Sequence, residues 1–536
     1  MNFREFVVEH ENVIKPLEKK IALAHWKGSV TGAKKYFDDL SRLRFKLEEV
    51  YANREDFAFV ERVKESGDFE NSLFSRIGDI LYLRYLGGQT DLSFLAGITK
   101  LSSELERKFN LFRAELDGKK FSHNDVTDML LTERNSKKRQ LAWESHKRVG
   151  KLIEEDLIKL VELRNEAAAK AGFDNFYSMS LYLNEQDEGN LIELFDRLER
   201  ITREPFRRVK DELDCRTAEL YRITEDQIMP WHYEDLYFQE LPSLFSMDFD
   251  KYYSGKMPAE IAREFYDSIG MNVRYILDRS DLYEREGKSP HAFCTDIDRA
   301  GDIRVLCNIK DNAKWTDTIL HELGHAVYDK YVGSSLPYLL RIYPHICMTE
   351  ASAMFFGGLA RDPLWMKSAL VLSGKEAEKI SSQAGRANSA RLLVFARWCQ
   401  VMFRFEREMY INPRSDLNSI WRDIVGEYQF ITPPPGRDMP DWATKIHIVT
   451  SPVYYHNYML GELIAAQFRH YVENNIIGQT SGKKGSIYGN KDVSEFFIDS
   501  VYRTGNLVSW NELIENAVGE PLKADYLMSY FREEKS

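Results

Sequence analysis

The chain of 536 residues carries a formal charge of −11 without a strongly basic block, which excludes nucleic acid and anionic membrane surfaces as expected partners. Hydrophobic residues make up 43% and aromatic residues 13% of the chain, which excludes a disordered composition and allows a large core. Five scattered cysteines without a CxxC pair argue against a disulfide framework, so we expect a reducing, cytoplasmic location.

The N-terminal segment and the hydropathy of the chain do not predict membrane attachment. The N-terminal apolar run Phe-Val-Val is too short, and too close to charged residues, for a signal peptide. No stretch of about 18 apolar residues predicts a membrane span. We therefore expect a protein without a membrane partner.

Helical periodicity dominates the chain. Residues 154–173 place apolar side chains at three- and four-residue intervals and bring Gly172 to the position of a helix C-cap glycine. Residues 302–309 are the best strand candidate, and residues 389–410 are apolar nearly all round, as in a buried helix. The pattern predicts one large, mainly helical unit with two lobes.

Two segments rich in Gly, Pro and polar residues predict loops, at 432–442 and 478–492. Neither looks like a domain linker, because strong helical segments continue on both sides of each.

The motif His-Glu-x-x-His begins at His321 and ends at His325. On a helix, these two imidazoles lie one turn apart on one face and bind one Zn²⁺ at about 2.0–2.1 Å. Glu322 is offset around the helix, so it suits a general base for a water that the metal activates. Gly324 lies between the two histidines, where the missing side chain allows another element to approach.

A catalytic zinc site needs a third protein ligand. Glu350 is the main candidate, because it lies 25 residues after His325 in an apolar helical segment, where a carboxylate is costly unless it is paired or bound to a metal. Three alternatives remain open. Glu350 can be a residue in the first turn of a helix, His345 can compete as the third ligand, and the two motif histidines can form a buried structural pair.

The motif followed by this glutamate is the gluzincin pattern. Segments 290–328, 421–468 and 500–531 resemble parts of peptidyl-dipeptidase A, the angiotensin-converting-enzyme family. The likeness covers roughly residues 150–536.

A second group shows a likeness over other segments. Residues 162–181 and 281–294 resemble the thimet oligopeptidase and oligoendopeptidase F group. Both resemblances imply a mainly α, two-lobed gluzincin metallopeptidase with a deep central cleft, a small β-sheet near the zinc helix, and one Zn²⁺ per chain. They imply a single peptidase unit over 1–536, with a helical lid or N-terminal part over 1–150 and the zinc-binding and substrate-cleft part over 151–536.

The peptidyl-dipeptidase A resemblance implies roles for individual residues. His321, His325 and Glu350 match zinc ligands, and Glu322 matches the general base. Among the remaining matches, His291 corresponds to a histidine that binds the substrate backbone, and Ala292 to a residue on an edge strand that pairs with the substrate. Lys445 and Tyr455 correspond to residues that hold the C-terminal carboxylate of the substrate. His447 corresponds to a histidine that binds the substrate and the transition state, and Tyr458 to a tyrosine that donates to the oxyanion. Such donors stabilise the negative charge that builds on oxygen when water attacks an amide.

The spacing of the later matches departs from the family pattern. The stretch from Lys445 to Tyr458 contains one residue more than the family spacing, so the roles matched to Tyr455 and Tyr458 can be exchanged among Tyr454, Tyr455 and Tyr458. The family's chloride-linked arginine falls near residues 456–457, which are His and Asn here, so we do not expect chloride activation.

Two further departures concern the metal site. Met354 stands where the family has an Asp four residues after the third ligand, so the partner that orients one histidine is not identified. Pro290 replaces a disulfide cysteine of the family, in agreement with a reducing location.

Three functions remain open. The first is a zinc peptidase for short unstructured peptides that releases C-terminal dipeptides, or alternatively cuts internal bonds as an oligoendopeptidase. The second is a peptide-binding protein without catalysis, against which the intact Glu322 argues. The third is a metal-dependent hydrolase of another amide. The sequence does not give the side-chain specificity, the oligomeric state or the physiological substrate.

Overall fold

A computed structural model describes residues 1–245, 247–478 and 485–531, except for the side chains of Leu92, Ser93 and Ser382. The chain is 69% helical, which confirms the prediction of a mainly α protein. The loop predicted at 478–492 lies partly outside the described residues.

The α-helices follow one another in chain order: α1 (Phe3–Thr31), α2 (Lys34–Tyr51), α3 (Arg54–Ser66), α4 (Ser72–Gly88), α5 (Leu92–Leu111), α6 (His123–Thr132), α7 (Ser136–Lys170), α8 (Phe176–Leu183), α9 (Glu188–Tyr221), α10 (Asp250–Tyr253), α11 (Pro258–Ser268), α12 (Arg274–Leu277), α13 (Ala313–Tyr331), α14 (Ile346–Gly357), α15 (Pro363–Ala369), α16 (Gly374–Ile411), α17 (Leu417–Gln429), α18 (His447–Thr450), α19 (His456–Tyr471), α20 (Lys491–Phe496) and α21 (Trp510–Val518).

The remaining regular elements are short. Two antiparallel pairs of strands form small sheets: β1 (Ala114–Leu116) with β2 (Lys119–Phe121), and β3 (Phe293–Asp296) with β4 (Ile303–Leu306). The 3₁₀ turns are Glu225–Gln227, Pro230–His232, Tyr338–Leu340, Gly358–Arg361, Asp441–Thr444 and Ala524–Tyr530, and the π-helical turns are Val472–Ile477 and Phe497–Tyr502.

The local predictions agree with these elements. The helix predicted at 154–173 lies in α7, and Gly172 adopts the left-handed φ of +87° that a C-cap glycine provides. The buried helix predicted at 389–410 lies in α16, and the predicted strand is β4. No helix within the described ranges is long and apolar enough to cross a membrane.

The chain divides into two compact units that interleave along the sequence. The first unit comprises Met1–Gln89, Asp248–Ala384 and Leu460–Ser529, and the second comprises Thr90–Met247 and Gly385–Met459 with the C-terminal residues from Tyr530. In the first unit, α1 to α4 pack with the turn Tyr338–Leu340 around an aromatic and aliphatic core. The second unit contains an apolar core built from α9, α16 and α17.

Candidate functional site

Helix α13, in the first unit, carries the His-Glu-x-x-His motif. It begins after Asn312, whose side chain accepts a hydrogen bond from the backbone N–H of Trp315 at 2.9 Å, a typical N-cap. The rings of His321 and His325 lie 4.9 Å apart between centroids, and both side chains are partly exposed. The helix therefore presents the two imidazoles on one accessible face.

Helix α14 packs against α13 at unusually close range. A Cβ atom at Gly324 would lie 2.7 Å from the Ala353 Cα, and a Cβ at Gly357 would lie 3.0 Å from the His321 Cβ. Real Cβ atoms do not approach a backbone atom at 2.7 Å, so only glycine permits this contact. The expectation that another element approaches at Gly324 is confirmed, and this contact fixes where α14 brings Glu350.

Three potential metal ligands converge between these helices. The Nε2 atom of His321 lies 3.8 Å from the Oε2 atom of Glu350, and the ligand atoms of His321, His325 and Glu350 all lie within 4.8 Å of one another. Tetrahedral ligands at zinc distances are separated by about 3.3–3.4 Å, so small side-chain rotations bring these atoms to an ion.

The electrostatics of the cluster suit a cation. Burial raises the pKa of Glu350 to about 7 and lowers the pKa of both His321 and His325. The imidazoles are therefore neutral, the form that binds metal, while the buried carboxylate needs a positive partner. This donor set fits a zinc-type ion.

The alternative ligand occupies a different place. His345 is the N-cap of α14, and its Nδ1 accepts a hydrogen bond from the backbone N–H of Cys347 at 3.2 Å. Glu350 is the fifth residue of α14, beyond its first turn. Within the described residues, the metal-ligating cluster contains Glu350 and not His345.

A hydroxyl orients one of the histidines. The Nδ1 atom of His325 and the Oγ1 atom of Thr349 form a hydrogen bond of 2.7 Å, and Thr349 is only 2% exposed. This bond directs the Nε2 atom of His325 to the cluster. Thr349 is absent from the residues predicted from the sequence. Its place directly before Glu350 is a usable signal, because the helix that delivers one ligand also faces the others.

Glu322 lies buried beside the cluster. Its carboxyl group accepts a hydrogen bond from the backbone N–H of Cys294, in β3. Burial and the nearby Glu350 raise the pKa of Glu322 to about 8. A carboxyl group that is poised near neutral pH and fixed by a backbone donor suits a general base.

Strand β3 is the predicted edge strand, but it begins one residue later than predicted. The register with β4 starts at Phe293, so Ala292 directly precedes the strand. The pairing of β3 with β4 does not extend to Ala292, because Cys307, the residue after β4, pairs with another segment. The backbone N–H of Cys307 donates to the Asp281 carbonyl at 2.9 Å. His291 is exposed next to Ala292. Within the described residues, β3 has β4 as its sole strand partner.

Lys445 lies in the second unit, where α7 supports the chain that leads to it. A Cβ at Gly150 would lie 2.2 Å from the Pro440 carbonyl oxygen, so only glycine permits this approach. Lys147, also on α7, donates from its Nζ to the Thr444 Oγ1 at 3.1 Å. These contacts fix the turn that ends directly before Lys445.

The Lys445 side chain is buried in an aromatic cage, only 6% exposed. Its Nζ lies 5.0 Å from the ring centre of Tyr237 and 5.1 Å from those of Trp398 and Tyr455. Burial lowers the pKa of Lys445 to about 8. The Nζ donates to the Gln239 Oε1 at 2.7 Å, so its acceptor is a neutral amide rather than a carboxylate.

The ring of Tyr455 lies beside Lys445. Its ring lies 5.4 Å from the ring of His447 and 5.3 Å from that of Tyr458. Burial, with a smaller effect of Lys445, lowers the pKa of His447 to about 4, so the imidazole is neutral. The second unit thus brings together Lys445 and Tyr455, which the resemblance matches to substrate binding, with His447 and Tyr458, which it matches to catalysis.

A buried hydrogen-bond network lies where the family has its chloride-linked arginine. The Oε1 atom of Gln186 is 2.8 Å from the Nε2 of His456, and the Nε2 of Gln186 donates to the Asn457 Oδ1 at 2.8 Å. All three side chains are buried.

A helical fold with two histidines and one glutamate in a single cluster, and a buried carboxyl base beside them, defines a candidate metallopeptidase. A family model described as angiotensin-converting enzyme matches residues 239–534, more than half of the chain, and the chain belongs to this peptidase family. The match supports the first resemblance, although residues 150–238 lie outside it, and it does not confirm the likeness to thimet oligopeptidase. A comparison with curated proteins gave no match.

Proposed function

We propose that the protein is a zinc-dependent peptidase that releases dipeptides from the C-termini of short unstructured peptides. Membership of the family supports peptidase activity. The single observation that carries terminal release is the buried ammonium of Lys445, which has a neutral amide as its acceptor. A buried charge of this kind is costly until an anion pairs with it, and a peptide's terminal carboxylate is such an anion.

His321, His325 and Glu350 would hold one zinc ion. When bound, zinc supplies Lewis-acid activation of water and of the scissile carbonyl. The role of Glu322 is to accept the proton of the attacking water and to pass it to the leaving amine. The Cys294 N–H holds the Glu322 carboxyl group in place for this transfer.

The remaining residues act on the substrate. Tyr458 donates a hydrogen bond to the oxygen on which negative charge develops, and the neutral His447 imidazole contacts the substrate and the transition state. Lys445, with the Tyr455 hydroxyl, binds the terminal carboxylate. The backbone around His291 and Ala292, directly before β3, pairs with the peptide.

Three alternatives differ in what they predict. Cleavage of internal bonds requires no terminal carboxylate. A binding protein without catalysis has no use for Glu322, and a hydrolase of another amide would not act on peptides. We also propose a reducing, cytoplasmic location, which the five free cysteines support.

The test compares one peptide set with free and with amidated C-termini, with products identified by mass spectrometry. A charge-assisted hydrogen bond is worth about 1.5–3 kcal/mol, so amidation should cost roughly 10- to 150-fold in kcat/KM. The products from free peptides should be C-terminal dipeptides, and a chelator should abolish the activity.

The matched variants are Lys445→Met and Lys445→Arg. Lys445→Met should cut free and amidated peptides equally, while Lys445→Arg should retain part of the preference because it keeps the charge. Internal cleavage that is indifferent to amidation in the wild-type protein would show the oligoendopeptidase alternative to be right.

A further inference from the structure

The chain between His447 and Tyr455 contains a strained residue. Val453 has a φ of +52°, in the left-handed region that β-branched residues rarely adopt. Val453 is buried, and its backbone N–H donates to the Oε1 of Glu406 at 2.7 Å. Since the left-handed conformation is unfavourable for valine, the surrounding contacts must maintain it.

Glu406 is a buried carboxyl group on α16, only 3% exposed. Burial raises its pKa to about 7, against the opposing effects of the Val453 N–H and the charge of Arg164. The cost of burying this group is therefore offset by the strained N–H and by one cation.

Arg164, on α7, holds the other part of the same segment. Its guanidinium donates to the backbone carbonyls of Ile448 and Val449 at 2.9 and 2.7 Å and to the Tyr410 hydroxyl at 3.1 Å. The two carbonyls belong to α18, the short helix that begins at His447. Arg164 is 4% exposed, so this contact is shielded from water.

We propose that Arg164 and Glu406 are positioning residues that fix the segment 447–455 and so place His447 and Tyr455 beside Lys445. Arg164 fixes the carbonyls at the start of the segment, and Glu406 fixes the N–H of Val453 near its end. The effect on substrate binding through His447 and Tyr455 rests on the proposed function. The fixing of the segment 447–455 by Arg164 and Glu406 is independent of it.

Glu406 compensates for the strain at Val453. Glycine adopts the left-handed conformation readily, so Val453→Gly should make the bond to Glu406 dispensable. A role of Glu406 in general core stability predicts no such rescue.

The experiment measures amide hydrogen exchange, by mass spectrometry, in peptides that cover residues 447–455. Glu406→Leu removes the acceptor and should raise exchange there about tenfold to a hundredfold, the range expected when a hydrogen bond to a charged group is lost. Glu406→Gln keeps an acceptor oxygen and should stay close to wild type. The control on the same helix is Glu408→Gln, and the double variant Glu406→Leu/Val453→Gly should regain most of the protection.

The second readout is the KM for free and amidated peptides. Glu406→Leu should raise the KM for free peptides about tenfold and that for amidated peptides less, because Tyr455 serves only the carboxylate while His447 contacts both kinds of peptide, and Val453→Gly should restore both values. If Glu406→Leu does not fold, Arg164→Lys provides the same test, because lysine keeps the charge but does not bridge the two carbonyls.

Wild-type rates of exchange in both Glu406→Leu and Arg164→Lys would overturn the proposal. An equal loss of protection in Glu406→Leu and in the double variant Glu406→Leu/Val453→Gly would also overturn it. Faster exchange that Val453→Gly reverses, without any change in KM, would leave the positioning of the segment intact and refute its part in substrate binding.

Discussion

Thr349→Val should weaken zinc binding without disturbing the fold. Valine matches threonine in shape but lacks the hydroxyl that bonds the His325 Nδ1 at 2.7 Å. Because Thr349 is 2% exposed, water has little access to replace that partner. In the variant, the His325 ring is free to rotate or to move its proton, so part of the population no longer offers Nε2 to the metal.

The magnitude follows from the kind of contact that is lost. Removal of a group that orients a metal ligand costs about 10- to 100-fold in metal affinity, or about 1.4–2.7 kcal/mol. The penalty for a buried, unpaired polar group is about 1–3 kcal/mol, which agrees with this range.

The assay is the zinc dissociation constant, obtained by competition with a chelator of known affinity. Thr349→Ser is the matched control, because serine retains the hydroxyl and lacks only the methyl group. We expect serine to bind zinc close to the wild-type affinity, and the melting temperature of the metal-free protein to be similar in both variants. Equal zinc affinity in the valine variant and the wild type, or an equal loss with serine, would refute the orienting role.

Four further results are expected. Gly324→Ala places a Cβ 2.7 Å from the backbone of α14 and should lower the free energy of unfolding, measured by chemical denaturation, by about 1–3 kcal/mol. The control is Gly358→Ala, whose Cβ meets no atom within 4 Å and which should leave the free energy of unfolding unchanged. As the pH rises through about 8, Lys445 loses its charge, so the KM of free peptides should increase while the KM of amidated peptides stays level. Parallel pH profiles of KM for free and amidated peptides would contradict this. Glu322→Gln should retain zinc in metal analysis but lose about 10²–10⁴ in kcat, and normal turnover would show that another group activates the water. Chloride should not change the activity beyond an equal ionic strength of acetate, because His456 and Asn457 stand in place of the family's chloride-linked arginine, and a specific chloride effect would disprove this.

The sequence predicts features that depend on local periodicity. The motif places His321 and His325 on one face because any α-helix does so, and Gly324 signals a close neighbour because glycine is otherwise unfavourable in a helix. The expected helices and the strand at β4 follow from the same reasoning.

Contacts between distant parts of the chain are not visible in this way. Gln239 bonds Lys445 across 206 residues of sequence, and no local pattern connects the two. The position of Tyr455 beside Lys445 depends on the path of the chain between His447 and Tyr455, which includes the left-handed Val453. The position of Ala292 just outside β3 is set by the competing pairing at Asp281, which strand propensity does not reveal.

The backbone contact at Gly324 bears on how metal enters and leaves the protein. The ligand helices are joined by atoms of the chain itself, through Gly324 and Gly357, so the frame does not depend on an ion to hold it together. Both helices also lie close in sequence, and such pairs tend to form early and to open late. The apoprotein should therefore keep a preorganised site, and dialysis should exchange Zn²⁺ for Co²⁺ in both directions without a cycle of unfolding.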